Sequence, residues 1–147
     1  MSGVTTMASV DPAVQRLIDA ISSRDAPAFA ACYAEEAVLV EPLFPEPHRG
    51  RDQIAAGEQF LFDAFSDVRP EVITVVSDGS SRAVELVMHA TNTGPINLGE
   101  GNSIPPTGRR IELPMAWLLD LDEQGLIVSE RDYFDTATLL RQLGLAD

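Results

Sequence analysis

Basic residues are scarce in this chain: ten Lys and Arg stand against 23 Asp and Glu, a formal charge of −13 over 147 residues. Such a surface repels polyphosphates and anionic membranes, so neither nucleic acid nor a membrane is expected as a partner. The acids are scattered rather than massed in one run, which reads as solubility and not as a tail for a cationic partner. Cysteine is nearly absent. Cys32 alone excludes an internal disulfide, and no Cys/His cluster has the spacing of a metal site. Residues 1–10 contain no Lys or Arg and no continuous apolar stretch, unlike a signal peptide or a spanning helix. They read as a flexible, Ser/Thr-rich tail on a cytoplasmic protein. Gly-x-Ser-x-Gly and phosphate-cradling glycine patterns are also missing, so any chemistry is expected to need neither cofactor nor metal.

What is present suits one globular domain over residues 11–147. A chain of this length with 45% hydrophobic residues buries roughly 70% of its unfolded surface. Asp11-Pro12 marks a helix start, followed by Val14, Leu17, Ile18 and Ile21 on one face. Asp25 and Pro27 open a second, short helix with Phe29, Cys32 and Tyr33 on its buried side. Val38 to Glu41 reads as a strand stopped by Pro42, Pro45 and Pro47. After Gly50 comes a third helix with Ile54, Leu61, Phe62 and Phe65 on one face. From Pro70 the period becomes that of strands. Residues 72–76 and 83–91 read as one hairpin, 111–121 and 126–134 as a second pair, and 136–143 as a closing helix. Between the pairs lies a loop over residues 94–108 with four glycines and three prolines, longer than an ordinary connection. This order predicts an α+β fold in which helices cover a curved, mostly antiparallel sheet and leave a cavity.

Several motifs resemble a known family in order and spacing: Tyr33-Ala34-Glu35-Glu36-Ala37-Val38 with Glu41-Pro42, Gly50-Arg51-Asp52-Gln53-Ile54-Ala55-Ala56, Pro106-Thr107-Gly108-Arg109, and Gly125-Leu126-Ile127 leading to Arg131-Asp132-Tyr133-Phe134-Asp135. The chain resembles the nuclear transport factor 2-like superfamily, and within it the SnoaL-like polyketide cyclases, ketosteroid isomerases and limonene epoxide hydrolases. The resemblance implies a cone-shaped, strongly curved sheet wrapped around the N-terminal helices, one apolar pocket, a small hydrophobic ligand and a homodimer. It also implies that Glu41 occupies the isomerases' proton-moving position and Asp132 the acid/base position of the epoxide hydrolases and cyclases. The isomerase oxyanion-hole residues correspond to Leu17 and Trp117, and the epoxide hydrolases' Arg-x-Asp pair has no counterpart in residues 83–89. One fold therefore leaves three readings: isomerase or cyclase, epoxide opening, or a non-catalytic ligand-binding or dimerisation module.

Residue chemistry narrows the candidates. Glu41 ends an apolar strand before a proline, where desolvation raises a carboxyl's pKa toward general-base work near neutrality; the alternative is a solvated strand end. Strict alternation on the last strand places Leu126, Val128, Glu130, Asp132 and Phe134 on one face. Asp132 there faces a cavity or pairs with an arginine. Glu130 is a third acid that either reaches the pocket and contacts substrate or lies on an exposed edge. Asp135 reads as the cap of the closing helix. His89, in the alternation Glu85, Val87, His89, Thr91, is a second-tier catalytic candidate or a hydrogen-bonded core residue. His48 is expected in solvent at the pocket mouth. Phe44, Met88 and Trp117 are expected in the pocket wall, and Tyr33 in the core with its hydroxyl on a polar partner.

Overall fold

The structure is a computed structural model that describes residues 3–6 and 11–147. Helix α1 (Pro12–Ser22) begins where expected, because Asp11 Oδ1 accepts from the backbone N–H groups of Ala13 (2.9 Å) and Val14 (3.4 Å). The other carboxylate oxygen ties this helix start to the sheet through Arg82 Nε at 2.7 Å. Helix α2 (Ala26–Ala30) is capped by Asp25, and α3 (Gly50–Ala64) follows the short strand β3 (His48–Arg49). The long strands are β2 (Tyr33–Val40), β4 (Phe65–Asp78), β5 (Ser81–Asn92), β8 (Arg110–Leu121) and β9 (Ile127–Tyr133), with α4 (Thr136–Gln142) closing the chain.

Strand β1 (Gly3–Thr6) pairs antiparallel with β4, so these four residues of the segment read as a tail belong to the sheet edge. The rest of that segment, residues 1–2 and 7–10, lies outside the described residues. The seven strands run in the order β1-β4-β5-β8-β9-β2-β3 and the sheet does not close. All neighbours are antiparallel except β2 and β9. Among the described residues no helix is long and apolar enough to cross a membrane.

Bulges bend this sheet. The β4–β5 register shifts between Ser66 and Arg69 and again between Val72 and Thr74, and Asp67 takes up the first shift at φ +54°. The sheet curls around α1, whose Val14, Leu17, Ile18 and Ile21 pack with Val72, Val75, Val84, Leu86, Trp117 and Leu119. At the other end Leu139 and Leu143 form a second cluster with Ala90, Ile111 and Leu113.

Three boundaries differ from expectation. Tyr33 opens β2 instead of lying on a helix, since Ile127 N donates to Cys32 O at 3.0 Å and β2 then runs parallel to β9. Phe65 begins β4 and does not continue the helical face. On β9 the register shifts opposite Asp120 and Leu121, so Ile127 is buried and Val128 is 39% exposed. The single alternating face drawn from Leu126 to Phe134 is therefore broken, and Val128 does not share the side of Glu130.

The loop over residues 94–108 contains a small hairpin, β6 (Ile96–Gly99) and β7 (Asn102–Ile104). Buried Asn92 clamps both of its ends: Nδ2 donates to Ala64 O (2.8 Å) and Gly94 O (3.0 Å), while Oδ1 accepts from Thr107 N (2.8 Å) and Thr107 Oγ1 (3.0 Å). Gly94 must be glycine here, because a Cβ would lie 1.9 Å from Asp63 O. Asn92→Ala removes all four bonds and leaves buried partners unsatisfied, so urea denaturation should show a loss of about 2–4 kcal/mol. A loss below about 0.5 kcal/mol, the level of an ordinary surface change, would contradict this account.

Candidate active site

Between the two apolar clusters lies a cavity of about 110 Å³, many times the roughly 10–15 Å³ that admits one water. Its walls are largely apolar and include Leu17, Phe44, Met88, Trp117 and Leu139. The polar side chains among its lining residues are Glu41, His48, Glu58, Glu130 and Asp132, and no arginine joins them. The sequence has no lysine, which removes Schiff-base chemistry. Glu41, Asp132, Phe44, Met88, Trp117 and Glu130 are thus brought to one compartment.

Glu41 directly follows β2 and is 9% exposed. Its Oε1 accepts from Leu43 N at 3.0 Å. Burial dominates that hydrogen bond and pushes the carboxyl up to about 7. It is not a solvated strand end.

Asp132 lies directly across from Trp117 in the β8–β9 ladder, on the concave side of the sheet. None of the ion pairs among the described residues involves it, which removes the arginine alternative. Asp132 Oδ1 is buried and has no hydrogen-bond partner. Burial first, and then the neighbouring Glu130 charge, hold Asp132 well above the ordinary carboxylate range. Glu130 is 2% exposed, and the buried Tyr33 hydroxyl donates to its Oε1 at 2.6 Å. Burial raises Glu130 as well, while hydrogen bonds from Asp132 and Tyr33 act in the opposite direction. Of this pair Asp132 is raised further, since the hydrogen bonds that oppose burial act on Glu130.

Glu58 on α3 is the residue that the sequence reading missed. It lines the cavity, and burial followed by the charges of Glu130 and Glu41 raises it to about 8. Glu58 and Asp132 are intermediate in exposure and both line the cavity. A signal was present. Glu58 is four residues after Ile54 and four before Phe62, on the helix face already identified as buried.

Two histidines differ from expectation. His89 does not line the cavity: its neighbour Met88 does, and strand alternation turns His89 to the convex face. There its Nε2 meets Glu71 Oε1 at 2.8 Å, with Glu112 Oε1 3.9 Å from Nδ1. His48 is half-buried in the cavity wall, with its ring edge-on to Phe44 at 4.6 Å, and burial lowers its pKa. Gly57 makes room for it, since a Cβ there would lie 2.7 Å from His48 Cε1. Asp135 is the cap residue of α4, but its carboxylate accepts from Thr138 Oγ1 at 2.6 Å, and that bond is the main reason its pKa is lowered.

Comparison with known proteins fits this architecture. A model of the SnoaL-like domain matches residues 14–130. The chain belongs to the SnoaL-like family. The SnoaL-like chain is similar in structure to a provisionally assigned SnoaL-like polyketide cyclase from Jannaschia (TM-score 0.77, 19% identity, covering 95% of this chain and 99% of that one). It is also similar to IdmH of Streptomyces antibioticus, provisionally assigned as a polyketide cyclase (TM-score 0.71, 28% identity, 90% and 96% covered). An LEH-like epoxide hydrolase of M. tuberculosis matches with TM-score 0.65 at 18% identity over 89% and 86% of the two chains. A search of curated proteins returns no match.

The raised acids make stability depend on pH. Unfolded, Glu41 and Glu58 release their protons near 4.5; folded, they hold them to about 7 and about 8. Between those limits the folded state binds more protons, so stability is fully present below the unfolded value and falls as pH rises through the folded ones. The loss is on the order of a few kcal/mol. Thermal melts should show Tm falling from pH 5 to pH 8.5, with a shallower fall for Glu58→Gln. An identical slope in that variant would remove Glu58 from the account.

Proposed function

We propose that the cavity is the active site of a cofactor-independent acid/base enzyme acting on a small hydrophobic metabolite, of the isomerase or polyketide-cyclase type. The observation that carries this reading is that Glu41 and Asp132 line one apolar cavity. A carboxyl raised to about 7 is divided between acid and base at neutral pH, which is where a general base works best. Asp132, held protonated, is the complementary acid. In such a reaction Glu41 takes the proton from the carbon next to a carbonyl, and Asp132 gives its proton to the carbonyl oxygen. The resulting enol is reprotonated elsewhere in an isomerisation, or its carbon closes on a second carbonyl in a cyclisation. The lack of any cation in the lining disfavours anionic substrates.

A second reading, epoxide opening, is supported by the similarity to the LEH-like epoxide hydrolase. There Asp132 protonates the epoxide oxygen while Glu41 removes a proton from water or from an internal hydroxyl. A third reading, a non-catalytic ligand-binding or dimerisation module, draws on Leu17 and Trp117, apolar side chains in the lining where the isomerases place oxyanion donors. We also propose a homodimer through the convex face of the sheet, where Tyr133 is exposed; gel filtration tests it.

The test is turnover in D₂O on a panel of apolar ketones and enones, read by mass spectrometry as deuterium gained next to the carbonyl, with ¹⁸O-labelled water and epoxides as the second arm. Glu41→Gln and Asp132→Asn should each slow the active reaction about 10²–10⁴-fold. Folded variants that turn over at the parent rate would remove both residues from the mechanism.

A further inference from the structure

Glu130 was a candidate for direct substrate contact, yet it is almost completely enclosed at 2% exposure, and one of its oxygens is taken by Tyr33. We propose that Tyr33 and Glu130 are a positioning pair for Asp132: Tyr33 Oη–H donates to Glu130 Oε1 at 2.6 Å, and Glu130, two residues before Asp132 on β9 and in the lining of the same cavity, holds the Asp132 carboxyl in place. The assignment rests on the acid/base reading of the cavity and adds to it the device that keeps its acid in place.

A tyrosine hydroxyl has a single proton to donate, and here it is given to Glu130. Glu130 is therefore the carboxyl of the pair whose ionised form is already stabilised. Asp132 has no donor of its own: its Oδ1 is buried and unpartnered, and no arginine or lysine meets it. Two carboxyls side by side in a low-dielectric wall cannot both ionise, and the member that already accepts a hydrogen bond, Glu130, takes the charge. The proton then stays with Asp132, whose carboxyl lines the cavity.

The groups facing Asp132 from the surrounding elements agree with this. Glu58 from α3, Glu41 after β2 and Glu130 on β9 all bring negative charge or protons. His48 lines the same cavity from β3, and burial lowers its pKa. Trp117 on β8 and Leu139 on α4 contribute apolar surface. Glu130 is the one carboxyl among these that has both a buried hydroxyl behind it and Asp132 in front.

The test needs no substrate. ¹³C-carboxyl-labelled Asp and Glu in the full chain are titrated by NMR between pH 5 and pH 9, with Asp132→Asn and Glu130→Gln assigning the two resonances. In the parent chain Asp132 should be protonated and Glu130 ionised at pH 7. Glu130→Gln removes the neighbouring charge and should lower the Asp132 midpoint by about one pH unit or more. Tyr33→Phe, a milder change that removes only the hydroxyl, should move the Glu130 resonance toward its protonated form and the Asp132 resonance toward its ionised form. An ionised Asp132 at pH 7 in the parent, or an Asp132 midpoint unmoved in both variants, would overturn the proposal. If the titrations behave as expected while Asp132→Asn retains parental turnover, the pair stands and the acid/base reading of the cavity fails.

Discussion

The parallel pairing of β2 with β9 is the constraint on which the site depends. Local pattern alone would connect neighbouring strands antiparallel, and β8 does meet β9 in that way. The far edge of β9 instead takes a strand from the start of the chain, in a register that sets Val38, Leu39 and Val40 against Ser129, Glu130 and Arg131. The next residue on each strand is Glu41 and Asp132. A one-residue slip would turn Asp132 out of the cavity and Arg131 into it. The same strand pair starts at Tyr33, opposite Ile127, and its register shifts before Val38; the tyrosine hydroxyl still reaches Glu130 from this strand.

Bringing carboxyls together in an apolar wall has an energetic consequence. Four acids line the cavity and no lysine or arginine accompanies them. Counter-ions would have stabilised them as anions; without these, all four are raised, burial being the first cause in each, with neighbouring carboxylates adding to it at Glu58 and Asp132 and hydrogen bonds opposing it at Glu41 and Glu130. A chain selected only for stability would fill such a space with leucine. The apolar contacts of α1 with the sheet and of α4 with its far end hold the cavity open against that preference.

Much of this was legible in the sequence, and the failures have physical causes. Asp11, Asp25 and the 3.6-residue spacing of Val14, Leu17, Ile18 and Ile21 are local signals, and α1 and α2 begin where those signals point. Hairpin β4–β5 was visible for the same reason, although its bulges were not. Tyr33 was misplaced because its strand identity comes from a partner 94 residues away, Ile127. Val128 was misplaced because a bulge changes the facing of side chains without any change in apolar content. His89 was weighed as a catalyst because period-2 spacing gives two faces without saying which is concave; Met88 in the cavity wall decides it. Glu58 was overlooked because a charged residue on an apolar helix face reads as an interruption, when it is a carboxyl reaching the cavity.

The cavity also limits what the site can bind. Ketosteroid-type catalysis needs donors aimed at a developing oxyanion. Leu17 and Trp117 stand where those donors are kept by resemblance, so a donor must come from elsewhere in the lining. Protonated carboxyls are such donors. Asp132, held well above the ordinary carboxylate range, and Glu58, raised to about 8, are the lining carboxyls suited to meet a carbonyl or an ether oxygen. An oxygen-bearing apolar molecule satisfies those groups. A carboxylate or phosphate would enter a cavity whose polar groups are four acids and one half-buried histidine, and would find no arginine or lysine to meet it.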